Sequence, residues 1–137
     1  MRAPSGLYYP NRIARFYFQA MEDVMGQSGL NVVLGLAGLE AYIGRPPGDN
    51  LAGEFDFAAM AAIQVALEEM YGERGGRGMA LRIGRASFAH GMRSFGALAG
   101  MNDPAFRALP RDARCRLGLM ALANVYSSFS DQQSSFE

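Results

Sequence analysis

The chain has no lysine and no tryptophan, one cysteine, one histidine, and no excess of either charge: 13 basic residues, all arginine, stand against 13 acidic ones. Each scarcity closes off a class of function. A lone cysteine, Cys115, rules out an intramolecular disulfide and suits a reducing compartment, with the cytoplasm as the expected location. One cysteine and one histidine cannot build a structural zinc site without carboxylate help. Zero net charge is a poor basis for general nucleic-acid binding, which needs a positive field. The longest uncharged stretch, Val24 to Leu39, falls short of the ~18–20 residues a membrane span requires, and four glycines interrupt it. No membrane span is expected, and the N-terminal segment has no apolar signal core. The all-arginine basicity fits a GC-rich genome, or sites that want planar, forked donors.

What is present suits one domain with a real core: 137 residues, half of them apolar, with nine methionines and nine phenylalanines. Helical spacing dominates. Asn11 offers a cap to a first helix, along which Ile13, Phe16, Tyr17, Ala20, Met21 and Val24 recur on one face until Gly26. A second helix, capped by Ser28, spans Leu30 to Ile43 and is apolar nearly all round, as buried helices are. "GRPPGDNLAG" reads as a loop. Asp56 is positioned to cap a third helix, whose stripe runs through Phe57, Met60, Ala61, Gln64, Leu67 and Tyr71. A fourth starts near Arg77 to Ala80 and carries Leu81, Gly84, Phe88, Gly91, Met92 and Phe95. Asp103–Pro104 and Pro110 are further start signals, and a last helix runs from about Arg111 to Tyr126. No strand, fixed-period repeat or heptad seam is evident. The expected fold is mainly α, about five packed helices in a single domain over 1–137, with 1–10 and 130–137 as flexible tails.

The glycine-rich stretch "YGERGGRGMAL" resembles a nucleotide loop at first sight. It lacks the lysine and following hydroxyl of a Walker loop, and it follows a helical pattern where the dinucleotide fingerprint needs a buried strand. It is better read as a helix stop and restart, with Gly72 in the left-handed cap position and Gly75 and Gly76 turning the chain. Arg77, Arg82 and Arg85 sit near the restart, where exposed amides favour anions. They are placed to hold the carboxylate of an amphipathic ligand, or to pair with Glu68, Glu69 or Glu73.

Catalytic signatures are absent. His90 has no nucleophile and acid spaced to form a triad, and it reads as an edge residue. Cys115 has no evident base and reads as a partly buried thiol. No carboxylate pair marks metal or acid–base chemistry, and the cofactor, if one exists, is unknown from the residues.

Three stretches, "YYPNRIARFYFQAMEDVMGQSGLNVVLGLAGL", "FDFAAMAAIQVALEEMYGERGGRGMALRIGRASF" and "SFSDQ", resemble the 4-vinyl reductase domain family, also described as predicted hydrocarbon-binding proteins. The resemblance runs from Tyr8 to Gln132. It implies the helical part of the ligand-binding domain fold of nitric-oxide signalling and Golgi transport proteins, with an elongated apolar pocket and dimerisation through helices. Members of that family are linked to bacteriochlorophyll biosynthesis and to sensing aromatic hydrocarbons. The family pattern continues past "SFSDQ" into strands whereas this chain stops at Glu137, so the expectation is either a chain truncated before a C-terminal β section or a short helical relative. No catalytic residue carries over.

Three function hypotheses follow. The first is non-catalytic binding of a lipophilic small molecule, a hydrocarbon or tetrapyrrole-like compound, in an apolar pocket between helices. Its candidate lining residues are Phe16, Leu34, Met60, Gln64, Phe88, Met92 and Met120, with Arg82 or Arg85 on a polar head. The second is a helical homodimerisation or scaffold module without bound ligand. The third, resting on the family resemblance alone, is an enzyme of tetrapyrrole reduction.

Overall fold

The computed structural model describes residues 3–95, 100–101, 103–135 and 137. It is mainly helical, with one small sheet among those residues. β1 (Tyr8–Pro10) leads into α1 (Asn11–Leu36), a 3₁₀ turn follows at Glu40–Tyr42, and β2 (Gly53–Asp56) leads into α2 (Phe57–Phe95). The short α3 (Pro104–Arg107) and then α4 (Arg111–Phe129) complete the order.

Each long helix is two helices joined at a glycine corner. Gly26 in α1 has φ 75° and ψ 171°, and Gly72 in α2 has φ 75° and ψ 169°. Only glycine enters this region without Cβ strain. The chain doubles back at both. Met60 and Ser87 line one hollow, although a straight helix would hold them about 40 Å apart. Arg15 and Leu30 likewise share a surface hollow across the Gly26 corner.

The two corners are built alike. In Met25–Gly26–Gln27–Ser28–Gly29 and Tyr71–Gly72–Glu73–Arg74–Gly75 the second glycine sits against the residue that precedes the first. A Cβ on Gly29 would lie 2.7 Å from the Met25 Cβ, and one on Gly75 would lie 3.0 Å from the Tyr71 Cβ. The same helix–corner–helix arrangement thus occurs twice. Past the second corner the limbs touch backbone to backbone, since a Cβ on Gly76 would approach the Glu68 Cα to 2.9 Å. The helix consequently resumes directly after Gly72, not near Arg77, and Gly76 serves the close approach instead of the turn.

The limbs enclose one core. Phe18, Met21, Val33, Leu34, Phe55, Ile63, Leu67 and Ile83 are all fully buried. Phe18 meets Phe55 edge-on at 5.7 Å and 89°, and Tyr42 at 5.5 Å and 70°. Burial of each such side chain stabilises the fold by about 1.5–3 kcal/mol.

The antiparallel pair β1–β2 corrects the expectation of no strand. Tyr8 faces Asp56, Tyr9 faces Phe55, and an irregularity follows before Pro10 meets Gly53. Asn11 is not the cap of α1: Pro10 holds that position, and the buried Asn11 side chain donates to Asn50 Oδ1 and Glu54 Oε1, both at 3.1 Å. α1 ends at Leu36, earlier than Ile43, because Gly38 takes φ 72°. Asp103 does cap α3, accepting from the Ala105 amide at 2.8 Å. Segments 1–10 and 130–137, expected to be flexible tails, meet each other within the described residues. The Tyr8 amide donates to Asp131 Oδ2 at 2.7 Å, and the Asp131 amide donates to the Tyr8 carbonyl at 3.0 Å.

Asp56 joins the sheet to α2. Its Oδ1 accepts from the Ala58 amide at 2.6 Å as a helix cap and from the Ser5 hydroxyl at 2.8 Å, while the Ser5 and Gly6 amides also donate to the carboxylate. Desolvation works to raise its pKa, but these donors outweigh it and hold the carboxyl at about 2, against an ordinary 3.8.

Four outcomes are expected. Gly72→Ala loses about 1–2 kcal/mol in urea unfolding from its positive φ. Gly76→Ala also loses stability, because backbone cannot yield to the added methyl. Gly78, helical and with nothing within 4 Å of an added Cβ, gains about 0.5–1 kcal/mol as alanine. The contribution of Asp56, whose folded pKa is depressed, is complete above pH 3.8 and disappears as pH falls through about 2. The stability gap between wild type and Asp56→Ala, measured by chemical unfolding from pH 7 to 2, therefore narrows below about pH 4.

Candidate functional site: an apolar groove beside a polar hollow

A groove of about 340 Å³ opens between the start of α1, the second limb of α2, and α4. α1 supplies Ile13, Phe16 and Tyr17, successive turns of one stripe. The second limb of α2 supplies Gly84, Ser87, Phe88, Gly91 and Met92. Leu122, Val125 and Tyr126 of α4 form the third wall, with Met101 beside them. The two glycines make the room. Among the described residues nothing lies within 4 Å of a Cβ placed on Gly84, and one on Gly91 would meet Phe16 Cδ2 at 3.9 Å.

Beside the groove lies a second hollow of about 270 Å³, more open to solvent than the groove, with which it shares Ile13, Tyr17, Ser87 and Tyr126. Tyr9, Met60, Gln64 and Gln132 complete that hollow. Here Gln64 Nε2 donates to the Tyr17 hydroxyl oxygen at 2.6 Å, and the Tyr9 hydroxyl donates to Gln132 Oε1 at 3.0 Å. Burial raises the pKa of Tyr17 above its ordinary 10, against a smaller opposing effect of the Gln64 bond. Burial also raises those of Tyr126 and Tyr9, with the nearby Tyr126 adding to the shift at Tyr9. All three phenols keep their protons at neutral pH. On the outer side the groove gives onto a shelf of α2, where Arg77, Ala80, Leu81 and Arg85 flank the shared Gly84 and Phe88.

Of the residues singled out in the sequence, Phe16, Phe88 and Met92 line the groove together. Met60 and Gln64 line the adjoining hollow, and Arg85 lies on the shelf. Leu34 is fully buried among core side chains. Arg82 is exposed, its Nη1 3.8 Å from Met79 Sδ, and Met120 is exposed on α4. Tyr17, Ser87 and Tyr126, which belong to both cavities, were not singled out. Tyr17 and Gly84 do fall on the helical stripes of the first and fourth predicted helices; Ser87 and Tyr126 carry no such signal.

Beyond the groove, His90 links the two long helices. Its Nε2 is 2.6 Å from Asp23 Oδ2, and the Arg93 guanidinium donates to its Nδ1 at 2.8 Å. With Nδ1 accepting, Nε2 carries the proton and donates to Asp23. Cys115 is exposed rather than partly buried, because the first half of α4 stands clear of the long helices. Among the described residues no group of three or more His, Cys, Asp or Glu side chains is gathered to hold a metal ion, and no helix is long and apolar enough to cross a membrane.

No protein-family model matches the chain, and no curated protein or solved structure matches it either.

Proposed function

We propose that this chain is a non-catalytic binding module for a lipophilic small molecule, related to the 4-vinyl reductase domain family that its sequence resembles. The observation that supports this is the groove itself. Three separate helical elements bring Phe16, Phe88, Met92 and Leu122 around one apolar space, and α2 withholds side chains at Gly84 and Gly91 where ordinary packing would fill it. Its volume lies at the small end of ligand sites, which run from roughly 300 to 1,000 Å³. That suits a compact hydrocarbon body better than a full tetrapyrrole. Arg85 is within the adjoining shelf, so a charged substituent would project there.

A second reading, helical self-association, draws support from the same shelf. Leu81 is 66% exposed and Phe88, about two turns further along α2, is 48% exposed, an apolar patch that a second copy would cover.

Titration with the neutral dye N-phenyl-1-naphthylamine tests the first reading. Saturable binding is expected, and Gly84→Leu, which fills the groove without disturbing backbone, weakens it about tenfold or more while leaving the melting temperature no lower. Equal binding by both proteins, or none by wild type, removes the reading. Sedimentation tests the second: a dimer that Leu81→Glu dissociates is expected, and a wild-type monomer at high concentration refutes it.

A further inference from the structure

The hollow at one end of the groove differs in chemistry from the rest. Around a space of about 270 Å³ stand the hydroxyls of Tyr9, Tyr17, Ser87 and Tyr126 and the carboxamides of Gln64 and Gln132. Among the described residues no carboxylate, guanidinium or imidazole lines it. Two hydrogen bonds already commit four of these groups, Gln64 with Tyr17 and Tyr9 with Gln132. Donor capacity remains. Tyr17 uses its oxygen to accept from Gln64, which leaves its own O–H proton to give. The side-chain hydroxyls of Tyr126 and Ser87 have no hydrogen-bond partner among the described residues, and both stand where groove and hollow join.

Resting on the ligand-binding reading above, we propose that this end recognises an uncharged hydrogen-bonding group, a hydroxyl or a carbonyl, carried by the ligand whose apolar body fills the groove. It discriminates against a carboxylate at that position. A hydroxyl or carbonyl entering the hollow exchanges water for donors from Tyr17, Tyr126 or Ser87, and those hydroxyls are satisfied in turn. A carboxylate surrenders far more hydration and finds no cation there. The guanidiniums of Arg77 and Arg85 lie on the shelf, which shares no lining residue with the hollow. The space thus has one neutral polar pole, and the ligand's own polar group orients it along the groove.

Competition for N-phenyl-1-naphthylamine by naphthalene, 2-naphthalenemethanol and 2-naphthoate tests this, with wild type and Tyr126→Phe compared. On wild type the alcohol is expected to compete about fivefold better than naphthalene, and the carboxylate about tenfold worse than the alcohol. In Tyr126→Phe the alcohol-to-naphthalene ratio falls toward one. Because the readout is a ratio on the same protein, a general loss of affinity cancels. Equal competition by all three, preference for the carboxylate, or an alcohol preference unchanged in both Tyr126→Phe and a Ser87→Ala/Tyr126→Phe double variant overturns the proposal while leaving the groove a binding site. Failure of every naphthalene compound and of the dye to bind removes the underlying reading instead.

Discussion

Everything in this fold depends on two residues that lack a Cβ at the points where the chain reverses. Gly26 and Gly72 adopt nearly identical backbone angles near φ 75° and ψ 170°. A side chain at either position meets the left-handed penalty, so the corner is available to glycine at little cost. Each corner converts one long helix into two limbs that pack on each other, and the four limbs bury Phe18, Phe55, Ile63 and Ile83 in common. The second corner also decides where the groove is. By returning the chain, it brings Gly84, Ser87 and Phe88 opposite Ile13, Phe16 and Tyr17. Had α2 continued straight, those residues would project away from α1 and no enclosed space would exist.

Two kinds of glycine therefore do opposite work. Gly26 and Gly72 are chosen for backbone angle, with open space where a side chain would go. Gly29, Gly75 and Gly76 are chosen for closeness, since a methyl at any of them meets a neighbour at about 3 Å or less. Gly84 and Gly91 belong to neither group: their backbone is helical, and their effect is to leave volume beside the aromatic rings. The interior is solid around Phe18 and hollow around Phe16, only two residues apart on the same helix.

The helical limbs were legible because their signals are local. Asp56 before an apolar stripe, Asp103 before Pro104, and Gly26 and Gly72 at the ends of stripes each announce a boundary within a few residues. The strands were not. Tyr8–Pro10 and Gly53–Asp56 are three and four residues long, too short for alternation to register, and they include a proline and a glycine that depress strand preference. What makes them strands is pairing across more than forty residues. The groove was legible in part. Phe16, Phe88 and Met92 stood on apolar stripes, but Leu34, on the equally apolar second predicted helix, is core, because apolar patterning tells which face is covered and not whether a neighbour fills the space. Tyr126 and Ser87 carried no signal: their importance comes from α4 meeting α1 and α2, a convergence of three elements that no spacing along the chain records.

The attachment of α4 has a further consequence. Asp131 and Gln132 fasten its end to Tyr8 and Tyr9, near the opposite end of the described chain. The wall of the groove that Leu122, Val125 and Tyr126 supply is thus held by the meeting of two segments more than 120 residues apart in sequence. Loosening either segment alone undoes that wall, while the paired limbs of α1 and α2 keep their own core around Phe18.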